Sequence, residues 1–288
     1  MSAELWARVE HALGAGVVSR VPVTGGDINS AWRVTLSQGP GRTVFVKTNA
    51  QPPKDMFAAE ARGLKFLSHA QALRTPAVLA VANDFLALEW IQSVGRGRDF
   101  DEQLGRGLAK LHRDGVDTFG LAHNNFIGRL PQDNRAVGSN TWADFYSDRR
   151  LRPQITMAAL TGALPAAIVL RLETLCASLP QRLGPAEPPA RLHGDLWGGN
   201  HLSDERGLPV LIDPAVYAGH REVDLAMMKL FGGFSERAFS AYEEVFPLAS
   251  GHLQRVPLYH LYYLLVHVNL FGGGYVNSVA NILTDLRA

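Results

Sequence analysis

Three oxygen-bearing side chains stand near one another in the second half of the chain: Asp195, Asn200 five residues later, and Asp213 beyond the short apolar stretch Leu208 to Ile212. Phosphoryl transfer uses such a set, with one carboxylate receiving the proton of an attacking hydroxyl while an amide and a second carboxylate hold a metal ion against nucleotide phosphates. Gly194, Gly198 and Gly199 give the loop around Asp195 the freedom to follow a tight path. Asn200 and Asp213 offer hard oxygen ligands, and magnesium is content with a few of these plus water and phosphate oxygens. Taken alone, Asp195 also reads as a turn or capping residue, and Asp213 before Pro214 as the end of a strand. It is the joint spacing of the three that favours chemistry.

Further upstream, Lys47 closes Val44-Phe45-Val46-Lys47, and Glu60 follows on the next helical stretch. A kinase uses a lysine in that position for the α and β phosphates and pairs it with such a glutamate, although each residue alone is equally a solvated charge. The segment Thr24 to Ser30 contains Gly25 and Gly26, whose backbone amides suit a phosphate-covering turn or a plain hairpin. Glu89-Trp90-Ile91 ends a strand before a Gly-rich connection, where the backbone of a hinge can hydrogen-bond an adenine edge; an ordinary edge strand is the other reading.

The elements that must position these residues follow from periodicity. Val17 to Val23, Ile28 to Leu36 and Thr43 to Thr48 alternate as antiparallel strands, Lys54 to His69 has helical spacing, and Val78 to Val81 and Phe85 to Ile91 read as two more strands. This predicts a small antiparallel sheet with one helix packed on it. Met1 to Gly14 has the pattern of an amphipathic helix rather than a signal peptide. After a boundary near residue 92 the chain turns helical, through Leu104, Leu108 and Leu111, a run from Leu160 to Leu179, and stretches around Asp224 to Phe231, Ala238 to Val245 and Leu253 to Leu270. The fold class expected is α+β and two-lobed, with residues 1–91 as the nucleotide lobe and 92–288 as the helix-rich catalytic and substrate lobe.

Composition narrows the choice of partner. The 28 basic and 27 acidic residues nearly cancel, which gives no broad surface for nucleic acid or membrane. Leu258 to Phe271 is too short to span a bilayer and carries His260, His267 and Asn269, so it reads as a buried helix of a soluble protein. The single cysteine, Cys176, fits a cytoplasmic setting. Zinc ligation by His193, Asp195 and His201 lacks the usual paired ligands. Gly95-Arg96-Gly97-Arg98-Asp99-Phe100 lacks the third glycine of a dinucleotide fingerprint, and no Gly-x-Ser-x-Gly elbow is present. Asp224 reads as a structural acid that caps a helix or braces the Asp195 loop.

His193 to Asn200, His-Gly-Asp-Leu-Trp-Gly-Gly-Asn, together with Phe45-Val46-Lys47, Thr118-Phe119-Gly120, Pro131-Gln132 with Asn134, Asp213-Pro214-Ala215 and Phe231-Gly232-Gly233-Phe234, resembles the fructosamine kinase (ketosamine-3-kinase) family nearly end to end. That resemblance implies a protein-kinase-like fold and ATP-dependent phosphorylation of the 3-hydroxyl of free or protein-bound ketosamines, which releases the amine. Carried over by position, Asp195 is the proton acceptor, Asn200 and Asp213 hold Mg2+, Lys47 and Glu60 position phosphate, and Glu89 to Ile91 form the hinge. Asp27 departs from the neutral small residue of many relatives and bears on nucleotide affinity. Trp197, Tyr217, Trp142 and Tyr275 are candidates to face the sugar or its amine, with core packing the default for each. The competing functions are a kinase for another alcohol, such as an aminoglycoside or choline, and a catalytically idle protein that binds nucleotide or sugar amines. Oligomeric state is not legible.

Overall fold

A computed structural model describes residues 3–24, 28–38 and 42–288; Gly25, Gly26 and Asp27 lie outside the described residues. The order of elements is α1 (Ala3–Leu13), β1 (Val17–Val23), β2 (Ser30–Leu36), β3 (Thr43–Thr48), α2 (Met56–Ser68), β4 (Val78–Val81), β5 (Phe85–Glu89) and α3 (Phe100–Arg113). There follow β6 (Asn125–Ile127), β7 (Leu130–Gln132), α4 (Trp142–Phe145), α5 (Arg152–Leu160), α6 (Ala166–Ala177), β8 (Ala190–Leu192), β9 (His201–Ser203), β10 (Pro209–Leu211) and β11 (Tyr217–Gly219). The chain ends with α7 (Glu222–Leu230), α8 (Glu236–Val245), α9 (His252–Phe271) and α10 (Val276–Asp285).

The five N-terminal strands form one antiparallel sheet in the order β1-β2-β3-β5-β4. Strand side chains alternate between faces, and here each face finds its own helix. Val44, Val46, Phe85 and Ala87 pack with Leu5, Trp6 and Val9 of α1, whereas Leu86 and Leu88 pack with Phe57 and Leu64 of α2. The sheet is therefore sandwiched by two helices, not covered by one. The register pairs Phe45 with Leu88 and Lys47 with Leu86, so Lys47 is committed by strand parity to the α2 face, where Glu60 stands.

The rest is mainly helical. α9 runs through its centre, contributing Leu258, Tyr259, Tyr262, Tyr263 and Leu265 to a core shared with α5, α6 and α7. A second cluster joins Leu67 of α2 to Leu104 and Leu108 of α3, Leu211 of β10 and Ala238 of α8. The periodic run from Leu160 to Leu179 is two helices, because Gly162 turns left-handed at φ 70° and Pro165 starts α6 anew; Leu160 consequently points to solvent. The strand expected to reach Ile91 stops at Glu89. α10 is an element that the sequence reading omits, although Val276, Val279, Leu283 and Leu286 recur at helical spacing and pack on the α9 core.

Arg74 ties the two halves together behind the sheet. Its guanidinium donates to Glu89 at 2.6 Å, at the end of β5, and to Asp204 at 2.9 Å, in the β9–β10 turn, while its carbonyl accepts from the Leu211 amide at 2.9 Å. Asp204 is fully buried, so losing this donor leaves its carboxylate under-satisfied. Arg74→Ala is expected to cost about 1–3 kcal/mol, read as a lower urea midpoint at unchanged m-value; an unchanged midpoint would show the cluster to be energetically idle.

Candidate active site

The loop from His193 to Asn200 connects β8 to β9, and the β9–β10 hairpin brings the chain back beside it, so that Ile212 donates to the Asn200 carbonyl at 3.1 Å and Ala215 to the His193 carbonyl at 3.0 Å. These two bonds lace the Asp195 and Asp213 segments together. Gly194 makes the close approach possible: at φ 82°, a Cβ there would lie 2.1 Å from the Ala215 carbonyl oxygen. Asp213 itself adopts φ 54°, a left-handed conformation that Asp tolerates better than most residues. The Asn200 amide nitrogen donates to the Asp195 backbone carbonyl at 2.8 Å, to its carboxylate at 3.1 Å and to the Asp213 carbonyl at 3.4 Å.

Lys47 completes the group. Its ammonium donates to Glu60 at 2.7 Å and to Asp213 at 2.6 Å, joining the sheet, α2 and the segment after β10 through one cation. Burial works against the charged form, but the Asp213 and Glu60 carboxylates outweigh it and hold Lys47 above the ordinary lysine range. Glu60 moves upward by burial, because one cation shared between two carboxylates does not fully compensate it.

Asp224, at the start of α7, braces the loop from below. Fully buried, it accepts from the amides of His193 and Gly194, each at 2.8 Å, and lies 3.1 Å from His112 Nε2. Burial raises its carboxyl, yet the hydrogen bond and charge of His112, with help from His193 and the Gly194 amide, bring it below the usual range. His193 donates through Nε2 to the Ile212 carbonyl at 2.9 Å, and His201 packs on Phe100 and Phe234. Among the described residues no three His, Cys, Asp or Glu side chains form a cage for a metal ion.

A second brace lies under Ala215. Arg150 is fully buried, donates to Asn134 at 2.6 Å and to the Asp133 carbonyl at 2.8 Å, and lies 3.7 Å from the Tyr217 ring centroid. Asn134 donates to Asn125 at 2.8 Å, Asn125 to the Val216 carbonyl at 2.8 Å, and Gln132 to the Ala215 carbonyl at 3.1 Å. This network was not visible in the sequence beyond the polar residues of the Pro131-Gln132 and Asn134 motif.

All five charged or amide residues of the expected set, Lys47, Glu60, Asp195, Asn200 and Asp213, line one cavity of about 660 Å³, together with Ala31, Phe45, Trp197 and Tyr275. Tyr217 does not reach it. It is fully buried beneath Arg150, because pairing of β11 with β8 turns its ring into the core. Trp142 is likewise core, stacked on Tyr146 and Phe145. Glu89, Trp90 and Ile91 are not among the cavity's described lining residues, and the Glu89 carboxylate is committed to Arg74 and the Ala77 amide. Beyond Glu89 the ladder with β3 ends, so the sheet does not use the backbone groups of Trp90 and Ile91. Sequence reading missed Tyr263, His267 and Phe231 as cavity residues. The available signal is the polar interruption of an apolar helix at His267.

The fructosamine kinase family profile matches residues 1–288. The chain belongs to the fructosamine kinase family. This family member is 38% identical over 271 residues to a protein of Enterococcus faecium named "Probable ketoamine kinase", covering 92% of this chain and 94% of that one. It is 36% identical over 271 residues to the chloroplastic protein-ribulosamine 3-kinase of Arabidopsis thaliana, covering 91% and 81%. The crystal structure of a candidate fructosamine-3-kinase from Thermobifida fusca superposes with a TM-score of 0.91 at 37% identity over the whole of both chains. An aminoglycoside phosphotransferase superposes with a TM-score of 0.64 at 16% identity, covering 99% of each chain, which places the fructosamine kinase family member in the protein-kinase-like fold.

Asp195 is half-buried and opens onto the cavity, surrounded by protein on its other sides. Burial raises its carboxyl, the Asn200 hydrogen bond opposes this, and the Asp213 and Asp224 charges add to it, leaving it pushed up to about 7. An acid raised in the folded state holds its proton more tightly there than in the unfolded chain, so its contribution to stability is full below the unfolded value near 4 and is lost as pH rises through about 7. Asp195→Asn should therefore melt above wild type at about pH 8 and close to it at about pH 4; equal melting temperatures at both would contradict the desolvation. Asp224→Ala leaves several donors unsatisfied in the interior and is expected to cost about 3–5 kcal/mol, measured by denaturant unfolding.

Proposed function

We propose that this protein is an ATP-dependent kinase that phosphorylates the 3-hydroxyl of ketosamines, the sugar adducts of amines, and thereby frees glycated amines. The single observation that carries the reading is the convergence of Lys47, Glu60, Asp195, Asn200 and Asp213 on one cavity. Residues 1–91 serve as the nucleotide lobe and residues 92–288 as the catalytic and substrate lobe, with Ala31 and Phe45 offering an apolar lining for the base; the adenine hinge is assigned to the 89–91 backbone, which lies outside that lining where the β3 ladder ends.

Lys47 holds nucleotide phosphate oxygens in exchange for one of its two carboxylates. Asp195 receives the proton of the acceptor hydroxyl, and the Asn200 contact fixes the carboxylate that does so. The donor set fits a divalent ion: with Asn200 Nδ2 and Asp213 Oδ1 committed, Asn200 Oδ1 and Asp213 Oδ2 make no hydrogen bond among the described residues and are hard oxygen ligands. Mg2+ held there supplies charge neutralisation for the transferring phosphoryl group. The remaining work is orientation within a partly water-excluded cleft.

The lining also bears on the acceptor. Among the described lining residues the carboxylates are Glu60, Asp195 and Asp213, the residues assigned to phosphate, proton transfer and metal, while the remaining wall carries Trp197, Phe231, His267 and Tyr275. A polycationic aminoglycoside calls for an acidic wall, so this neutral aromatic one favours a sugar bearing a single amine.

Incubation with ATP, Mg2+ and a panel of ribulose-, fructose- and erythrulose-derived amines, followed by mass spectrometry, should add one phosphoryl group to at least one member. No product from any of them would favour an idle binding protein. Asp195→Asn should lower kcat by about 10²–10⁴-fold and retain nucleotide binding in a fluorescence titration; an active Asn variant removes Asp195 from its role.

A further inference from the structure

The acceptor end of the cavity is walled by rings from three separate segments. Trp197 belongs to the catalytic loop and is 41% exposed, Phe231 follows α7, and His267, Phe271 and Tyr275 come from the end of α9 and the turn after it. The first two segments touch through glycine: a Cβ on Gly198 would sit 3.2 Å from Gly233 Cα, so only bare backbone lets the catalytic loop and the 231–233 turn meet this closely. His267 is the hub of the group, its ring centroid 4.8 Å from Phe231, 5.4 Å from Phe271 and 4.9 Å from Tyr275.

The height of this collar above the base is set by α9. Tyr263 donates its hydroxyl to the Gly194 carbonyl at 2.8 Å, next to Asp195, and His267 lies four residues on, about 6 Å along the helix axis. A sugar whose hydroxyl meets Asp195 would thus present its first carbons, and the amine they carry, to His267.

The hydrogen bonding of His267 decides what it offers. Nδ1 lies 2.7 Å from the Tyr263 carbonyl oxygen, which can only accept, so Nδ1 carries the proton. In the neutral ring Nε2 then holds a lone pair, and it makes no hydrogen bond among the described residues and is not a buried orphan. Burial favours this neutral form. A collar that carries no carboxylate among its described residues and combines aromatic faces with one imidazole acceptor is suited to a secondary ammonium group.

We propose that His267 Nε2 accepts a hydrogen bond from the protonated amine of the substrate while Phe231, Phe271 and Tyr275 face its positive charge, making His267 the residue that distinguishes a ketosamine from the parent ketose or its ethers. This rests on the ketosamine kinase reading and assigns the amine end of that same site. The amine is read without a counter-carboxylate, which also leaves bulky uncharged substituents free to extend past the exposed Phe231 and Phe271.

The test compares 1-deoxy-1-(methylamino)fructose with fructose 1-O-methyl ether, which replaces the nitrogen by oxygen. Wild type is expected to favour the amine by about tenfold or more in kcat/KM, and His267→Leu should bring that ratio toward unity, with His267→Gln, which keeps an acceptor, recovering part of it. Phe231→Leu, on the exposed rim, should lower the ratio about threefold. Ratios unchanged in both the Leu variants, or no preference in wild type, would overturn the assignment. Calorimetric titration of both compounds into the Asp195→Asn protein separates this from the kinase reading: tighter binding of the amine, lost when His267→Leu is added, supports the ammonium site even if no phosphate is transferred. Equal affinity for amine and ether defeats it even in an active kinase.

Discussion

A single ammonium holds the active arrangement together. Lys47 is delivered to its place by strand parity, Glu60 by the helix on that face, and Asp213 by a hairpin from the far side of the cleft, and the three meet within hydrogen-bond distance. Desolvating such a charge cluster is costly unless its geometry is good. Here the cost is offset only if the sheet, α2 and the helical half sit in one relative position, so the ion triad reports the closure of the cleft as well as the identity of its ligands. Arg74 performs a comparable function behind the sheet, where one guanidinium bridges Glu89 and Asp204.

The Asp195 carboxylate depends on a different kind of support. Its loop contributes few apolar side chains, and its shape is fixed through backbone groups: two amides caught by Asp224, one carbonyl caught by Tyr263, and reciprocal bonds to the Asp213 segment. Buried polar groups that are fully satisfied specify a conformation more sharply than apolar packing does. The result is a carboxylate whose position is set by elements widely separated in sequence, including α3 through His112 and α9 through Tyr263.

Much of this was legible because the chemistry comes with spacing. Asp195 and Asn200 share one loop, Asp213 ends the next short hairpin, and Lys47 with Glu60 follows from a strand and helix of clear periodicity; the brace at Asp224 could be read from its position at a helix start. Parity of a three-residue strand cannot be read from sequence, so Tyr217 stands there as a pocket candidate beside the default of core packing, and β11 decides for the core. The break between α5 and α6 was hidden by an apolar pattern that continues across it. Gly25 and Gly26 fall outside the described residues, so the phosphate turn remains a sequence reading. Least legible were the partners of Arg150, because Asn134, Asn125 and Gln132 exert their effect through main-chain carbonyls that leave no trace in composition.

That last network gives the cavity two unlike walls. Under Ala215 and Val216 lies a floor of interlocked amides around Arg150, a cation with no carboxylate partner among the described residues, whose charge is spread over carbonyl oxygens and the Tyr217 ring. Any substitution there exposes several buried dipoles at once. The opposite rim is joined by the glycines at 232–233 and 272–274, and a side chain added at Gly273 or Gly274 would meet open space with no left-handed backbone to oppose it. Evolutionary change in what this cleft accepts is therefore channelled to one margin, where loops can lengthen or exchange rings while the side that carries Lys47, Glu60 and Asp213 stays as it is.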